Sequence, residues 1–416
     1  MKEKDITVPT DLPRDAFPSQ LEISFVEGGQ RQTLQYEKVT WPVEGGRSGL
    51  RYGENVDRPA ALYRLINGNL VIGEVELVAP HPHLTSAAVL LQQGKHPSKT
   101  GLRDADIALA VFRQTLEKPT CVIVKHNNPC GAAIRSSVEE AFWSAFLANR
   151  VGTRGGCAAF NRSVNRATAE AILHASLDVV VAPDFEPGAV EQLAANPRLC
   201  LLRVGGIDRL TQWVGRPYLE FASLQDGGVV AQWAVTPQPL TRDDCRPAQA
   251  VAHNAEVRSQ RQPTGEEWEN LLFAWKLAEV TVSDSIVYVK DGTTVAVGVG
   301  GQDRTAVAQT TRDKAYHAMA DRLAWERFKR PFTTLSDPEM RRSVWDDTVE
   351  LRGGLIGASM ASDGAIFDTG PVEVSIAEGI RTIMQPGGAP ADAENTQLCN
   401  EAHVAMVFTG IRVFRH

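Results

Sequence analysis

The sequence predicts an α/β fold of two lobes, each alternating helices with strands. Three observations carry that reading. Short apolar runs at 121–124, 179–182 and 286–289, rich in Val and Ile, have the profile of strands buried on both faces. Longer segments near them place apolar residues at helical spacing. A mixed stretch over 206–265, with Pro217, Pro237, Pro239 and Pro247, separates two halves of similar rhythm, although no exact short-period repeat is visible. A chain of 416 residues suits two or three domains at roughly 150 residues each.

Taken in order, residues 1–20 are polar, carry Pro9, Pro13 and Pro18, and are expected to form a tail. The first lobe is expected over 21–205. It opens on Leu21-Glu22-Ile23-Ser24-Phe25, whose period-two alternation marks a strand. An apolar, small-residue stretch over 85–93 leads into a Gly/Pro/Ser/Lys loop over 94–101. Residues 104–116 read as an amphipathic helix with Ile107, Ala108, Val111 and Phe112 on its buried side. The run 121–124, bounded by Pro119 and a Pro/Gly turn, reads as a central strand ending in a loop. A helix over 167–175 then feeds the strand 179–182, which Pro183 stops. Beyond the connecting segment 206–265, the second lobe is expected over 266–416 and starts with a helix over 268–277. Residues 286–289 and 294–297 form a hairpin closed through Lys290-Asp291-Gly292, Asp-Gly being a favoured tight-turn dipeptide. A charged helical insertion fills 311–350, and a last α/β unit runs from Leu355 to the terminus.

Composition excludes several function classes. Hydrophobic content of 43% with 22% charged residues rules out global disorder. Lys+Arg of 43 against Asp+Glu of 50 gives a net charge of -7, so no Lys/Arg excess is available to displace counterions from nucleic acid. Six cysteines without a Cys-x-x-Cys fit a reducing compartment. The N-terminal residues lead into no apolar signal-peptide core, and no run approaches the ~18–20 apolar residues of a membrane span. The expectation is a cytoplasmic protein without a membrane or nucleic-acid partner.

Four segments could carry chemistry. Lys125-His126-Asn127-Asn128-Pro129-Cys130-Gly131 follows a strand directly, and strand ends are where open α/β sheets bind ligands. A His there can exchange a proton near neutrality while the ammonium stabilises developing negative charge; the bland alternative is a solvated Asx/Pro turn. Pro129-Cys130 alone would suggest a zinc deaminase, but Pro-Cys-x-x-Cys and His-x-Glu are both missing, so no zinc is expected. Leu50-Arg51-Tyr52-Gly53-Glu54-Asn55 is either a polar turn or an Arg held for a phosphate. The glycine-rich segment 298–304 lacks both the Gly-x-Gly-x-x-Gly and the Walker patterns; it is a plain turn or one that brings backbone amides and Arg304 to a ligand. The terminal Arg412-Val413-Phe414-Arg415-His416 ends a β-like run and is either frayed or tied down.

Together, in this order and spacing, these segments resemble the AICAR transformylase domain of the bifunctional purine-biosynthesis enzyme. Further matches are Gly155-Gly156-Cys157-Ala158-Ala159-Phe160-Asn161-Arg162, Ala274-Trp275-Lys276, Ala361-Ser362-Asp363 and Gln385-Pro386-Gly387-Gly388, so the resemblance covers about residues 18–416. It implies two cytidine-deaminase-like lobes of mixed sheet with flanking helices and no zinc, assembled as a homodimer with shared sites. It implies formyl transfer from 10-formyltetrahydrofolate to the 5-amino group of AICAR, with His126 as base and Lys125 on the oxyanion. Arg51, Tyr52, Gly155, Asp178, Asp284, Arg304, Arg412 and His416 would bind the nucleotide: Arg51 and Arg412 at the phosphate, Asp178 at the ribose, Arg304 at the carboxamide. Thr281, Ser283, Ser285 and Asp363 match positions around a structural potassium ion, for which oxygen ligands are suitable.

The chain also departs from the family. Val56-Asp57-Arg58 replaces the usual Pro-His-Gln, Ser283-Asp284 replaces Ser-Asn, and Arg154 replaces an aromatic. The aromatic loop Ala-Phe-Phe-Pro-Phe-Arg-Asp is replaced by Gly364-Ala365-Ile366-Phe367-Asp368-Thr369-Gly370, which opens two alternatives: a different formyl donor such as formate plus ATP, or a non-catalytic AICAR-binding homologue. The family's cyclohydrolase domain has no counterpart here, so a separate IMP cyclohydrolase is expected. Asp284 is expected to have a cationic partner, Arg154 or Arg304.

Overall fold

The computed structural model describes residues 17–416 apart from 69, 73–74, 78–82, 93–94 and 253–254. Most of the expected tail, and Gln93 and Gly94 of the expected stretch and loop, lie outside the described residues. A twelve-stranded mixed sheet organises the chain. Its strands in chain order are β1 (Val89–Leu90), β2 (Thr120–Lys125), β3 (Asn128–Ile134), β4 (Cys157–Phe160), β5 (Val179–Ala182), β6 (Cys200–Arg203), β7 (Arg246–Pro247), β8 (Ile286–Lys290), β9 (Thr293–Gly298), β10 (Ser359–Ser362), β11 (Thr382–Gln385) and β12 (Ala405–Phe408). Across the sheet they run β7-β12-β11-β10-β8-β9-β3-β2-β4-β5-β6-β1. Each strand of the first half thus has its counterpart six strands later. The pairings repeat as well: β2–β3 and β8–β9 are antiparallel hairpins, β4–β5–β6 and β10–β11–β12 are parallel, and β1 and β7 are antiparallel edges. The halves meet where β3 pairs antiparallel with β9 at Ala133 and Thr293.

Strand alternation sorts side chains into two cores. Val122, Val124, Val179, Val181, Val287, Val289 and Met384 pack under α1 (Lys99–Phe112) and α5 (Gly265–Glu279). In the first half, Cys121, Ile123 and Val180 face α2 (Val138–Ala148), α3 (Arg166–Leu173) and α4 (Ala189–Leu193). In the second half, Ile286, Tyr288, Met360 and Ile383 face α6 (Arg304–Phe328), α8 (Gly370–Ala377) and α9 (Asp392–Glu401). The helix α7 (Pro338–Glu350) packs on α6 through Ala320, Ala324 and Val344. Burial on both faces is why the strands read as continuous apolar runs.

Two local expectations change. The helix expected from 104 begins at Lys99, because the Ser98 hydroxyl accepts from the Gly101 amide as an N-cap and draws the Ser/Lys/Thr/Gly segment into the first turn. The strand at 121–124 does not end in a loop: two residues later the chain returns as β3, with Pro129 and Gly131 inside it. Pro129 is tolerated at a register shift, and Gly131 is required because a Cβ there would sit 2.1 Å from the Ala145 carbonyl oxygen of α2. The described residues of 206–265 carry regular structure: a 3-10 turn at Ile207–Trp213, paired strands Pro217–Ser223/Val229–Val235 and Gln249–Ala252/Ala255–Arg258, and the edge strand β7. The N-terminal strand expected at 21–25 is Gln20–Glu27, in a three-stranded sheet with Gln30–Lys38 and Tyr63–Asn67.

Candidate active site

The register puts the C-terminal ends of β2, β9 and β10 and the N-terminal ends of β3, β4 and β8 on one edge of the sheet. At its centre is the β2–β3 turn. His126 and Asn127 have φ of 55° and 61°, left-handed conformations that cost a non-glycine residue about 1 kcal/mol or more. Three elements hold this turn. From α1, Asp104 Oδ1 accepts from the Asn127 amide at 2.7 Å. From the C-terminus, Arg415 Nη1 donates to the Asn127 carbonyl at 2.7 Å and to the Val280 carbonyl at 2.8 Å. From the second half, the Val282 amide donates to Asn128 Oδ1 at 2.9 Å. Asp104 is 6% exposed, and burial pushes its carboxyl up to about 6 against the opposing pull of the Asn127 amide, His126, Arg103 and Arg415. The Asn127 side-chain Oδ1 is buried and has no hydrogen-bond partner among the described residues.

On one side of the turn, Arg51, Tyr52, Gly155 and Asp178 line a narrow cavity of about 40 Å³ together with Lys95, Asp104 and Cys200. Arg51 Nη2 donates to the Tyr52 hydroxyl at 2.7 Å and its guanidinium lies 4.6 Å from the ring centre. Lys95 Nζ is 2.9 Å from the Asp178 carboxylate. On the other side, Lys125 and His126 line a cavity of about 640 Å³ whose wall includes Lys314 and His317 of α6 and whose floor is Val295, Val297 and Val299. Arg150 in that wall is paired with Asp321 at 2.8 Å. Burial pushes the Cys130 and Cys200 thiols up to about 12, so neither is a thiolate nucleophile at neutral pH.

The second half contributes a charged cluster. Asp284 is paired with Arg304 at 2.8 Å, and Arg154, the other expected partner, is exposed. Arg304 also donates to Asp363 Oδ1 at 3.1 Å and to the Ser362 hydroxyl at 3.1 Å. The Ser285 amide donates to the same Asp363 oxygen at 3.0 Å. Burial raises the Asp284 carboxyl above its ordinary value, opposed chiefly by Arg304. The glycine-rich loop is here a close-packing device: a Cβ on Gly301 would lie 1.9 Å from Val307, so the glycine lets the loop close onto the first turn of α6.

The terminal peptide is tied down. Val413 donates to the Asp363 carbonyl, the Ser283 amide donates to the Arg415 carbonyl at 2.9 Å, and the Arg415 amide donates back to the Ser283 hydroxyl at 3.0 Å. Arg412 and Arg304 both lie over the Phe414 ring, at 5.6 and 5.7 Å, and His416 is 6.0 Å from it. Arg412 does not line the cavity that Arg51 lines. Of the four expected cation ligands, Thr281 donates its hydroxyl to the Leu277 carbonyl at 2.7 Å, whereas Ser285 Oγ and Asp363 Oδ2 are buried without a hydrogen-bond partner among the described residues. Among the described residues, no group of three or more His, Cys, Asp or Glu is placed to hold a metal ion.

Sequence reasoning passed over Asp104, Arg415, Lys95 and Asn128. A signal existed for Asp104: it precedes Ile107, Ala108 and Val111 at helical spacing, a lone carboxylate on the buried stripe of α1. Arg415 lay inside the terminal segment but was overlooked in favour of Arg412 and His416.

Residues 22–314 match the family described as AICARFT/IMPCHase bienzyme. The chain is 30% identical over 378 residues to the bifunctional purine biosynthesis protein PurH of Caldicellulosiruptor saccharolyticus, covering 91% of this chain and 61% of that protein. It is 32% identical over 369 residues to the protein of the same name from Aquifex aeolicus, covering 88% of this chain and 59% of that one. The chain therefore spans about three fifths of the length of these relatives. With a family match across more than half of its length and relatives aligned over nearly all of it, the chain belongs to the AICARFT/IMPCHase bienzyme family.

Proposed function

We propose that the chain transfers a formyl group from 10-formyltetrahydrofolate to the 5-amino group of AICAR. The observation that supports this best is that Lys125 and His126 line a cavity of about 640 Å³, while Asp104, which holds the Asn127 amide of the same turn, lines a second cavity with Arg51, Tyr52 and Asp178. The cavity lined by Arg51 is read as the nucleotide side; Lys95 and Asp178, now paired, separate to admit the ribose. The larger one is read as the donor side, its size within the range of small-molecule sites.

The amine is conjugated with the carboxamide and is a weak nucleophile. Its nitrogen bonds to the formyl carbon, His126 takes the amine proton, and Lys125 stabilises the oxyanion that forms on the formyl oxygen. Collapse breaks the bond from the formyl carbon to N10 of the folate, which takes up a proton returned by His126. Arg304, already held by Asp284 and Asp363, orients the carboxamide. The orphaned Ser285 Oγ and Asp363 Oδ2, with the Thr281 and Ser283 hydroxyls, fit a hard monovalent cation such as potassium, which would supply countercharge to the Asp363 cluster. A homodimer with sites completed across its interface is part of the same reading.

The loop 364–370 favours a second reading in which the donor differs. Its single aromatic, Phe367, is 64% exposed, while Asp368 accepts from the Thr305 hydroxyl and from the Gly370 amide at the start of α8. Purified protein is incubated with AICAR and either 10-formyltetrahydrofolate or formate plus ATP, and the product mass is read. Product from the folate alone supports the first reading. Product from formate plus ATP replaces the donor, and tight AICAR binding without product makes the chain a binding homologue.

A further inference from the structure

The two halves of the sheet hold their equivalent turns in corresponding ways, and one difference between them identifies positioning residues. In the second half, the β8–β9 turn residue Gly292 donates its amide to Asn270 Oδ1 at 2.8 Å, and its carbonyl accepts from the Ile134 amide of β3 at 2.9 Å. Asn270 is the sixth residue of α5; Asp104, which takes the Asn127 amide, is the sixth residue of α1. The amide anchor is therefore the same device in both halves, and a neutral Asn is sufficient for it. The carbonyl partner is different. Gly292 is held by main chain of the central sheet, whereas Asn127 is held by the guanidinium of Arg415, three residues from Arg412 and one from the chain end.

We propose that Arg415 and Asp104 are positioning residues that grip the Asn127 peptide from opposite sides and so set the His126 imidazole, making the catalytic turn depend on the seated C-terminal segment. Arg415 is suited to this role because one nitrogen bridges the Asn127 and Val280 carbonyls, while its own amide and carbonyl are fixed to Ser283. The turn of the second half is held from within the sheet region instead: Arg135, directly after β3, donates to the Asp291 carbonyl at 2.7 Å, Asn270 accepts from the Gly292 amide, and neither belongs to a terminal segment. Two residues in left-handed conformations without a glycine need this external restraint.

This inference rests on the formyl-transfer reading for its kinetic test, so a second readout stands apart from activity. In the full chain, Arg415→Ala is expected to lower kcat at least about tenfold with KM for AICAR within about threefold, and Arg415→Lys to restore part of the loss. Asp104→Ala is expected to behave like Arg415→Ala, and Asp104→Asn to stay within about threefold of the parent, as Asn270 does in the other half. Amide hydrogen exchange over 124–130 is expected to speed up in both alanine variants and not over 289–294, with the melting temperature within a few degrees. If the parent protein forms no product, the functional reading fails, but faster exchange confined to 124–130 still sustains the grip. Unchanged exchange there in Arg415→Ala overturns the proposal whatever the activity, as does an equal loss of kcat in Asp104→Asn and Asp104→Ala.

Discussion

Each half of the sheet closes its first hairpin with two residues of positive φ: His126 and Asn127 at 55° and 61° in one, Asp291 and Gly292 at 49° and 63° in the other. The second pair is the composition a tight hairpin turn prefers, and it connects β8 to β9 with little strain. The first pair builds the same backbone from residues that resist it. Folding alone does not require His-Asn at this turn, because the sister turn manages with Asp-Gly. The difference lies in what holds each turn. The His-Asn turn is held by Arg415 of the terminal segment and by the Asp104 carboxylate; the Asp-Gly turn is held by Arg135 directly after β3, by β3 main chain and by the neutral Asn270. A duplicated scaffold shows which costs belong to the scaffold and which to the site.

The largest expected effect concerns buried charge at the active edge. In the second half, Asp363 is fully buried and Arg304 nearly so, held together at 3.1 Å with Asp284 on the same guanidinium. Arg304→Ala leaves a buried carboxylate without its cation and is expected to destabilise the chain by about 3–5 kcal/mol in urea unfolding. A loss below about 1 kcal/mol would mean that Asp363 is neutralised by something other than Arg304. Added potassium recovering part of the loss would favour a cation beside the Asp363 oxygen that has no hydrogen-bond partner among the described residues.

The first half buries one carboxylate instead, and its sign can be worked out. Asp104 is raised from an ordinary 3.8 to about 6 by burial, so between those values the folded chain holds a proton that the unfolded chain has released. Stability tied to this group is complete below about pH 4 and is lost as pH rises through about 6. Asp104→Asn removes the dependence while keeping an acceptor for the Asn127 amide. Relative to the parent, the variant is expected to match it at pH 3.5 and to gain up to about 3 kcal/mol by pH 7, two units at ~1.4 kcal/mol each. A variant less stable at pH 7 would show the charge to be compensated by His126, Arg103 and Arg415 more fully than its burial implies.

How much of this could be read from the residues varies by element. Strands buried on both faces, the Asp-Gly hairpin and the helix over 268–277 announce themselves through local pattern. The β2–β3 hairpin did not, because Pro129 and Gly131 look like a turn; both are there for a bulge and for the close approach of α2. The sixfold correspondence of strands is invisible because its shared features are backbone pairings, carried by different side chains in each half. Charge logic gives Asp284 a cation but leaves Arg154 and Arg304 open, and favours Arg154 because it replaces an aromatic; the fold selects Arg304. Asp104 with Asn127 joins α1 to a turn more than twenty residues away, and Arg415 with Asn127 joins the terminal segment to a turn 288 residues earlier. Only the fold brings those partners together.

Rate should separate the two turns as cleanly as conformation joins them. His126→Ala is expected to lower kcat about a hundredfold, the usual scale for a general base, with AICAR affinity within a few-fold. Asp291→Ala, at the matching position of the second half, is expected to leave kcat unchanged and to cost no more than about 1 kcal/mol of stability. Near-normal turnover in His126→Ala would remove it from the proton path and leave its unusual backbone unexplained by catalysis. A rate loss in Asp291→Ala would mean that the halves are coupled through the β3–β9 seam.

The smallest effect discriminates most finely, because it makes the first turn resemble the second. Asn127→Gly retains the amide bonded to Asp104 and the carbonyl bonded to Arg415, and it relieves the left-handed strain of a Cβ-bearing residue. If Asn127 served conformation alone, Gly would be neutral or stabilising by up to about 1 kcal/mol and would leave the kinetics untouched. The side chain, however, buries an Oδ1 that has no partner among the described residues, and a buried acceptor left alone is a cost that a ligand donor can lift. Asn127 adjoins His126 and is bonded to Asp104, which lines the cavity read as the nucleotide side, so that donor is expected to come from the AICAR amine or carboxamide. One neutral hydrogen bond of about 1 kcal/mol corresponds to roughly a fivefold rise in KM for AICAR in Asn127→Gly, with kcat within twofold. Calorimetric titration of AICAR against both proteins measures it without the donor present. A fivefold weaker affinity with a slightly more stable fold would show that His-Asn is retained for ligand contact at the expense of the hairpin, whereas unchanged affinity would return the first turn to the status of the second.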